Sequence, residues 1–142
     1  MRALLDTNVL IALLDRAHAH HARATAWFEG SGARAWATCP IVENGAIRIL
    51  AQPSYPNAVA PELTAEALAH FIAIEGFSFW NDSVSLRDAT IFDRTRFGSH
   101  HRLTDIYLLG LARANRGVLA TFDRRLAADA VIDGANHLLV LS

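Results

Sequence analysis

The first fourteen residues fall into blocks: apolar Ala3-Leu4-Leu5, polar Asp6-Thr7-Asn8, then an apolar run from Val9 to Leu14. A short, wholly apolar run reads as a strand buried on both faces, and a longer one behind a polar trio reads as a helix that the trio caps. The same alternation recurs along the chain. It predicts strands at 2–5, 35–38, 77–80, 118–121 and 137–141. It predicts helices at 8–15, at 18–29 with an end near Gly30-Ser31-Gly32, at 40–52 where Pro40 suits the first turn and Pro53 and Pro56 forbid continuation, and from a Thr64 N-cap to about Gly76. A short helix is expected at 86–93 and a polar loop at 94–102. Thr104 should then cap a long helix. Its apolar positions Leu103, Ile106, Tyr107, Gly110, Leu111 and Ala114 follow helical spacing, and Leu108 and Leu109 widen the stripe enough to predict a buried element. Gly117 stands where a left-handed residue closes a helix.

Strands alternating with helices predict right-handed crossovers and a parallel sheet covered on both faces, an α/β fold with four to five strands flanked by helices. At 142 residues the chain is one domain by length, with no repeat, linker or low-complexity segment. Hydrophobic residues make up 52%, yet no run approaches the roughly 20 residues of a membrane span. The apolar excess is therefore assigned to a core and to a partner surface, for which Trp27, Phe28, Phe79 and Trp80 are the candidates. The start lacks the pattern of a signal peptide, and a single cysteine, Cys39, excludes an internal disulfide; both lead to a cytoplasmic expectation.

Lysine does not occur, so every fixed positive side chain is arginine. This removes phosphate-binding-loop chemistry, Schiff-base chemistry and the acidic phosphotransfer sites that depend on a lysine. With a formal net charge of −1, nucleic-acid binding must rest on local arginines or on metal ions. Arg94, Arg96, Arg102, Arg113, Arg116, Arg124 and Arg125 concentrate in the C-terminal half, and Arg102 and Arg124 are the candidates for nucleic-acid contact.

In a parallel sheet, function gathers outside the carboxyl ends of the strands. Asp6 follows the first expected strand, Asp123 follows the fourth after one residue, Asp105 lies in the first turn of the long helix, and Glu43 lies early in the helix after the second strand. Glu43 has Ile47 and Leu50 on its helical face, which draws its carboxylate toward the core, where a cation is the partner that no lysine can supply. Gly45 beside it implies a close approach by another element. Taken singly, Asp6 reads equally as a helix cap, Asp105 as an acid favoured by the helix dipole, and Asp123 as a turn closer. Their shared topological position is what caps alone do not require. Clustered carboxylates resist ionisation without a cation, and hard Mg²⁺ or Mn²⁺ prefers oxygen ligands. This points to metal-assisted phosphodiester chemistry. His18, His20 and His21 read as a solvated helix start, and His100 and His101 as loop residues.

The blocks LLDTNVLIALLD, CPIVENGAIRIL, HRLTDIYLLGLA and LATFDRRLA resemble, over nearly the whole chain, those of PIN-domain proteins, specifically VapC-type toxins of toxin–antitoxin systems. The resemblance implies a single PIN domain over residues 1–142, and Asp6, Glu43, Asp105 and Asp123 match the family's acidic quartet as catalytic and metal-holding residues. Thr121 matches its supporting hydroxyl, and Asn8 stands beside Asp6 as a further supporting residue. It also implies a Mg²⁺-dependent endoribonuclease, with Mn²⁺ as a substitute, leaving 5′-phosphate and 3′-hydroxyl ends. The expected partners are RNA, a second copy in a homodimer, and a small antitoxin in a hetero-oligomer. Ile106 after Asp105 and Asn81 after Trp80 depart from the common pattern without touching the acids. Two other readings remain at this point: a metal-dependent phosphatase for a small substrate, disfavoured because Asn8 stands where a second aspartate belongs, and a non-catalytic PIN-fold binding module, disfavoured because all four acids are present.

Overall fold

A computed structural model describes residues 1–142. Five strands, β1 (Ala3–Leu5), β2 (Trp36–Thr38), β3 (Phe77–Phe79), β4 (Val118–Thr121) and β5 (Leu138–Val140), form one sheet in the order β3-β2-β1-β4-β5. Every adjacent pair is parallel. The expected class and all five strands are therefore present. Five helices connect and cover the sheet: α1 (Thr7–Leu14), α2 (His21–Gly30), α3 (Pro40–Leu50), α4 (Pro61–Phe71) and α5 (Leu103–Ala114).

The central strands are sealed on both faces, which is why they read as continuous apolar runs: Leu4, Leu5, Trp36, Ala37, Leu119 and Ala120 are all fully buried. Phe28, Phe71 and Phe77 gather round Trp36 with ring centroids 4.8–5.2 Å away. Three of the four aromatic residues expected at a partner surface belong instead to the interior or its margin: Phe28 is in the core and Trp27 and Trp80 pack against it, while only Phe79 is well exposed. No helix is long and apolar enough to cross a membrane.

As its periodicity predicts, α5 is mostly buried. It lies against the loop before it so closely that a Cβ on Gly110 would fall 2.2 Å from the ring of the buried Phe92. Gly110→Ala should therefore lower the unfolding free energy by about 1–3 kcal/mol, as overpacked cores do. A denaturant titration of the purified variant checks this, and an unchanged midpoint would contradict the packing.

Several local expectations are corrected. α4 begins at Pro61, which occupies its first turn, so Thr64 is an interior helical residue and not the cap. Residues 86–93 form turns, because Asp88 Oδ1 accepts from the backbone and hydroxyl of Thr90 and so offers the chain an alternative to a helix. The 94–102 loop contains two 3₁₀ turns, Arg94–Arg96 and His100–Arg102. The second feeds directly into α5, so the cap position falls to Arg102 and Thr104 is already helical. The left-handed residue after α5 is Arg116, with φ 57°. Gly117 serves close packing, since a Cβ there would lie 2.4 Å from the Arg2 carbonyl.

Candidate functional site

In this strand order the chain runs from β1 toward one edge and resumes at β4 on the other side, so the topological switch lies between β1 and β4. Asp6 and Asp123 follow those two strands. Asp6 is the N-cap of α1, its Oδ1 accepting from the Thr7 amide at 2.7 Å, so the bland reading holds. It is also only 4% exposed, and its other oxygen accepts from Thr121 Oγ1 at 2.6 Å across 115 residues of sequence. A surface cap needs neither.

Thr121, fully buried, ties the switch point together. Besides donating to Asp6, its hydroxyl accepts from Asn8 Nδ2 at 3.3 Å and from the Asp123 amide at 3.0 Å. Asn8 Oδ1 in turn accepts from the Phe122 amide at 3.3 Å. Asp123 Oδ1 receives the Arg125 amide at 2.8 Å, which fixes the turn after β4. Thr121 and Asn8 thus tie Asp6 to the end of β4, and the Asn8 amide is committed to holding the β4 exit.

Asp105 enters from the first turn of α5. Burial, then the charges of Asp6 and Asp123, push its carboxyl up to about 6. Burial likewise raises Asp6, against the lowering influence of its bonds to Thr121 and Thr7, with Asp123 adding to the rise. Three acids from three elements therefore share one field. This arrangement disfavours their joint ionisation and favours a cation.

Glu43 comes from a fourth element. It lies half-buried in the first turn of α3, and Thr38 Oγ1 donates to its Oε2. A buried hydroxyl at the end of β2 is thus one partner of the carboxylate for which the sequence offered a cation. Thr38 is the residue that sequence reasoning missed. The signal was present, since Thr38 ends β2 as Thr121 ends β4, and each hydroxyl orients a carboxylate. The close approach inferred from Gly45 is real: a Cβ there would lie 3.3 Å from Thr7 Oγ1 and Cγ2, so glycine lets α3 press against the start of α1.

No three acids form a closed ligand cage. Mg²⁺ needs only one or two carboxylates because it keeps several waters. The donors present, all oxygen and with two carboxyls held above their ordinary range, fit a hard divalent cation.

The two arginines singled out for RNA contact, Arg102 and Arg124, form no ion pair, and Arg124 is exposed. Arg96 is engaged by Asp93 and Asp129. The histidines before α2 are not a ligand set: His21 Nδ1 contacts the Ala12 carbonyl at 2.7 Å, His18 Nδ1 accepts from the His20 amide, and His20 packs on Phe122 with ring centroids 5.0 Å apart. Arg23 covers that same ring at 4.9 Å. His100 and His101 stack on each other, exposed.

An acid-edged parallel sheet with Asp and Thr at the switch point defines a class, and similarity to known proteins agrees. The PIN-domain family model matches residues 3–131. Ribonuclease VapC44 of Mycobacterium tuberculosis is 45% identical over 131 residues, 92% of each chain. Ribonuclease VapC39 of the same organism is 41% identical over 131 residues, 92% of this chain and 94% of that one. The crystal structure of M. tuberculosis VapC20, described as a sarcin–ricin-loop-cleaving toxin, superposes with a TM-score of 0.63 at 14% identity, covering 92% of this chain and 97% of that one. That likeness bears on fold. The chain belongs to the PIN-domain family, among its VapC-type members.

Proposed function

We propose that this protein is a divalent-cation-dependent endoribonuclease, the toxin of a toxin–antitoxin pair. The observation that carries the reading is the convergence of Asp6, Asp105 and Asp123 on the β1/β4 switch point, where the charges of Asp6 and Asp123 raise the carboxyl of Asp105 and that of Asp123 raises Asp6. The VapC names of its relatives supply the substrate class and the expectation of a small antitoxin partner. Asp6, Asp105 and Asp123 would hold Mg²⁺ or Mn²⁺, with Glu43 at the rim.

Such a cation, when bound, supplies Lewis acidity toward a phosphate oxygen and an acidified water. The chain's own residues do the positioning. Thr121 fixes the direction of Asp6, Asn8 holds the β4 exit so that Asp123 faces the same space, and Thr38 orients Glu43, which is placed to accept a proton. Arg102 and Arg124, unpaired, are proposed to meet RNA phosphates. Products would carry 5′-phosphate and 3′-hydroxyl ends, and cytoplasmic action as a homodimer neutralised by antitoxin completes the proposal. Asn8 argues against the small-substrate phosphatase, because its amide is already used in hydrogen bonds to Thr121 and Phe122.

Protein freed of any partner, incubated with transfer RNA and ribosomal RNA, should cut at least one of them in Mg²⁺ and none in EDTA. Failure to cut any RNA of a broad panel would overturn the reading.

A further inference from the structure

An open cleft of about 540 Å³ lies beside Asp6, Glu43 and Asp105 and is lined by none of them. Thr7, Asn44 and Thr104 line it, and these are the chain neighbours of Asp6, Glu43 and Asp105. Asn44 lies on α3, which also brings Gly45 and, one turn beyond Asn44, Arg48 to the lining. Arg48 is exposed and forms no ion pair or hydrogen bond with the protein. Five residues, or roughly 7.5 Å of helix axis, separate it from Glu43. Asp82, the one carboxylate lining the cleft, does not pair with it.

We infer that this cleft seats the RNA backbone flanking the scissile bond, with the Arg48 guanidinium taking a neighbouring phosphate and the Thr7, Asn44 and Thr104 side chains meeting ribose and phosphate oxygens. The inference rests on the ribonuclease reading and extends it to a substrate track. The lining favours RNA over a protein helix. Five of its nine lining residues are polar or charged and two, Ile41 and Ile49, are aliphatic; Thr7, Asn44, Arg48 and Thr104 offer the hydroxyl, amide and guanidinium groups that suit phosphate and 2′-hydroxyl groups, whereas a helix docking in a groove needs a continuous apolar floor. Arginine, a planar fork of donors, binds phosphate bidentately, and a solvent-exposed one without an internal partner keeps those donors free.

Arg48→Gln and Arg48→Lys test it, with folding checked by thermal melts. Binding of a short fluorescein-labelled single-stranded RNA is read in EDTA, and cleavage of an RNA that the wild type cuts is read in Mg²⁺. Arg48→Gln should raise Kd and KM roughly tenfold with kcat changed by less than about twofold, the cost expected of one charge-assisted phosphate contact. The slope of log Kd against log salt should become shallower by about 0.7, one phosphate contact on a single strand. Arg48→Lys should restore that slope and part of the affinity. Unchanged Kd and KM in Arg48→Gln, or a loss confined to association with a protein partner, would overturn the inference. A wild type that binds RNA without cutting it removes the ribonuclease reading alone and leaves the Kd comparison to decide the track. A wild type that neither binds nor cuts overturns both.

Discussion

Asp6→Asn should lower RNA cleavage by about 100-fold or more while leaving the metal-free fold at least as stable as wild type. Asparagine and aspartate are comparable helix N-caps, so the start of α1 survives the change, and an amide oxygen still accepts from Thr7 or Thr121. Under the proposed function, what the amide removes is a negative oxygen ligand. Even residues one layer out from a metal cost 10–100-fold when changed, so loss of a direct ligand sets roughly 100-fold as the lower bound. Stability should move the other way. Burial raises the folded pKa of Asp6 above its ordinary value. Such a group contributes stability at acid pH and loses it as pH rises through the folded pKa, so at neutral pH the wild-type carboxylate opposes folding when no cation is present. Asp105, held up to about 6, behaves likewise: the metal-free wild type should lose stability between about pH 4 and pH 6, and Asp105→Asn should flatten that part of the curve. Urea titrations in EDTA across this range, beside a cleavage assay, separate the two readings of Asp6. A variant that cuts RNA at nearly the wild-type rate would make the residue a cap and nothing more.

Thr121→Val should be the most damaging single change among uncharged residues of the site. The hydroxyl is fully buried and serves three partners: it donates to Asp6 and accepts from Asn8 and from the Asp123 amide. Valine matches its shape but leaves a buried carboxylate oxygen without its donor and two donors without an acceptor. Each orphaned buried group costs about 1–3 kcal/mol, and partial relaxation of Asn8 offsets some of the sum, so a net loss of about 2–3 kcal/mol is expected. Cleavage should fall with it, because Asp6 and Asp123 lose their shared anchor. Thr121→Ser keeps the hydroxyl and should recover most of both. Thermal melts and single-turnover cleavage of the two variants decide the matter, and equal activity in the valine and serine forms would contradict a positioning role.

The site was legible because it sits at the ends of strands whose burial enforces an apolar run, so that a polar residue breaking the run marks the edge of the sheet. Asp6 after Leu5 and Asp123 shortly after Ala120 are of this kind. Asp105 was placed by the period of α5. The missing parts are contacts between segments distant in sequence. Nothing in the local pattern links Thr121 to Asp6 and Asn8, and the Thr38–Glu43 bond bridges a turn whose geometry depends on Pro40. The element boundaries that differ lie where side chains compete with the backbone. Asp88 and Asp93 bind the amides two residues ahead of them and turn 86–96 into a series of tight bends, and Pro61 starts α4 before Thr64 can cap it. Gly117 was recognised as constrained but for a different reason, since space against Arg2, and not a left-handed backbone, excludes a side chain there.

Acids from the ends of β1 and β4 and from α5 are proposed to act as one cation site. Thermal unfolding of wild type, Asp6→Asn and Asp105→Asn in EDTA and in Mn²⁺ tests it most directly. With Mn²⁺ at a hundredfold excess over its dissociation constant, wild type should gain about 2.7 kcal/mol of stability, and both variants should lose most of that gain while melting no lower than wild type in EDTA. Equal Mn²⁺-induced shifts in all three proteins, or none in wild type, would contradict the claim.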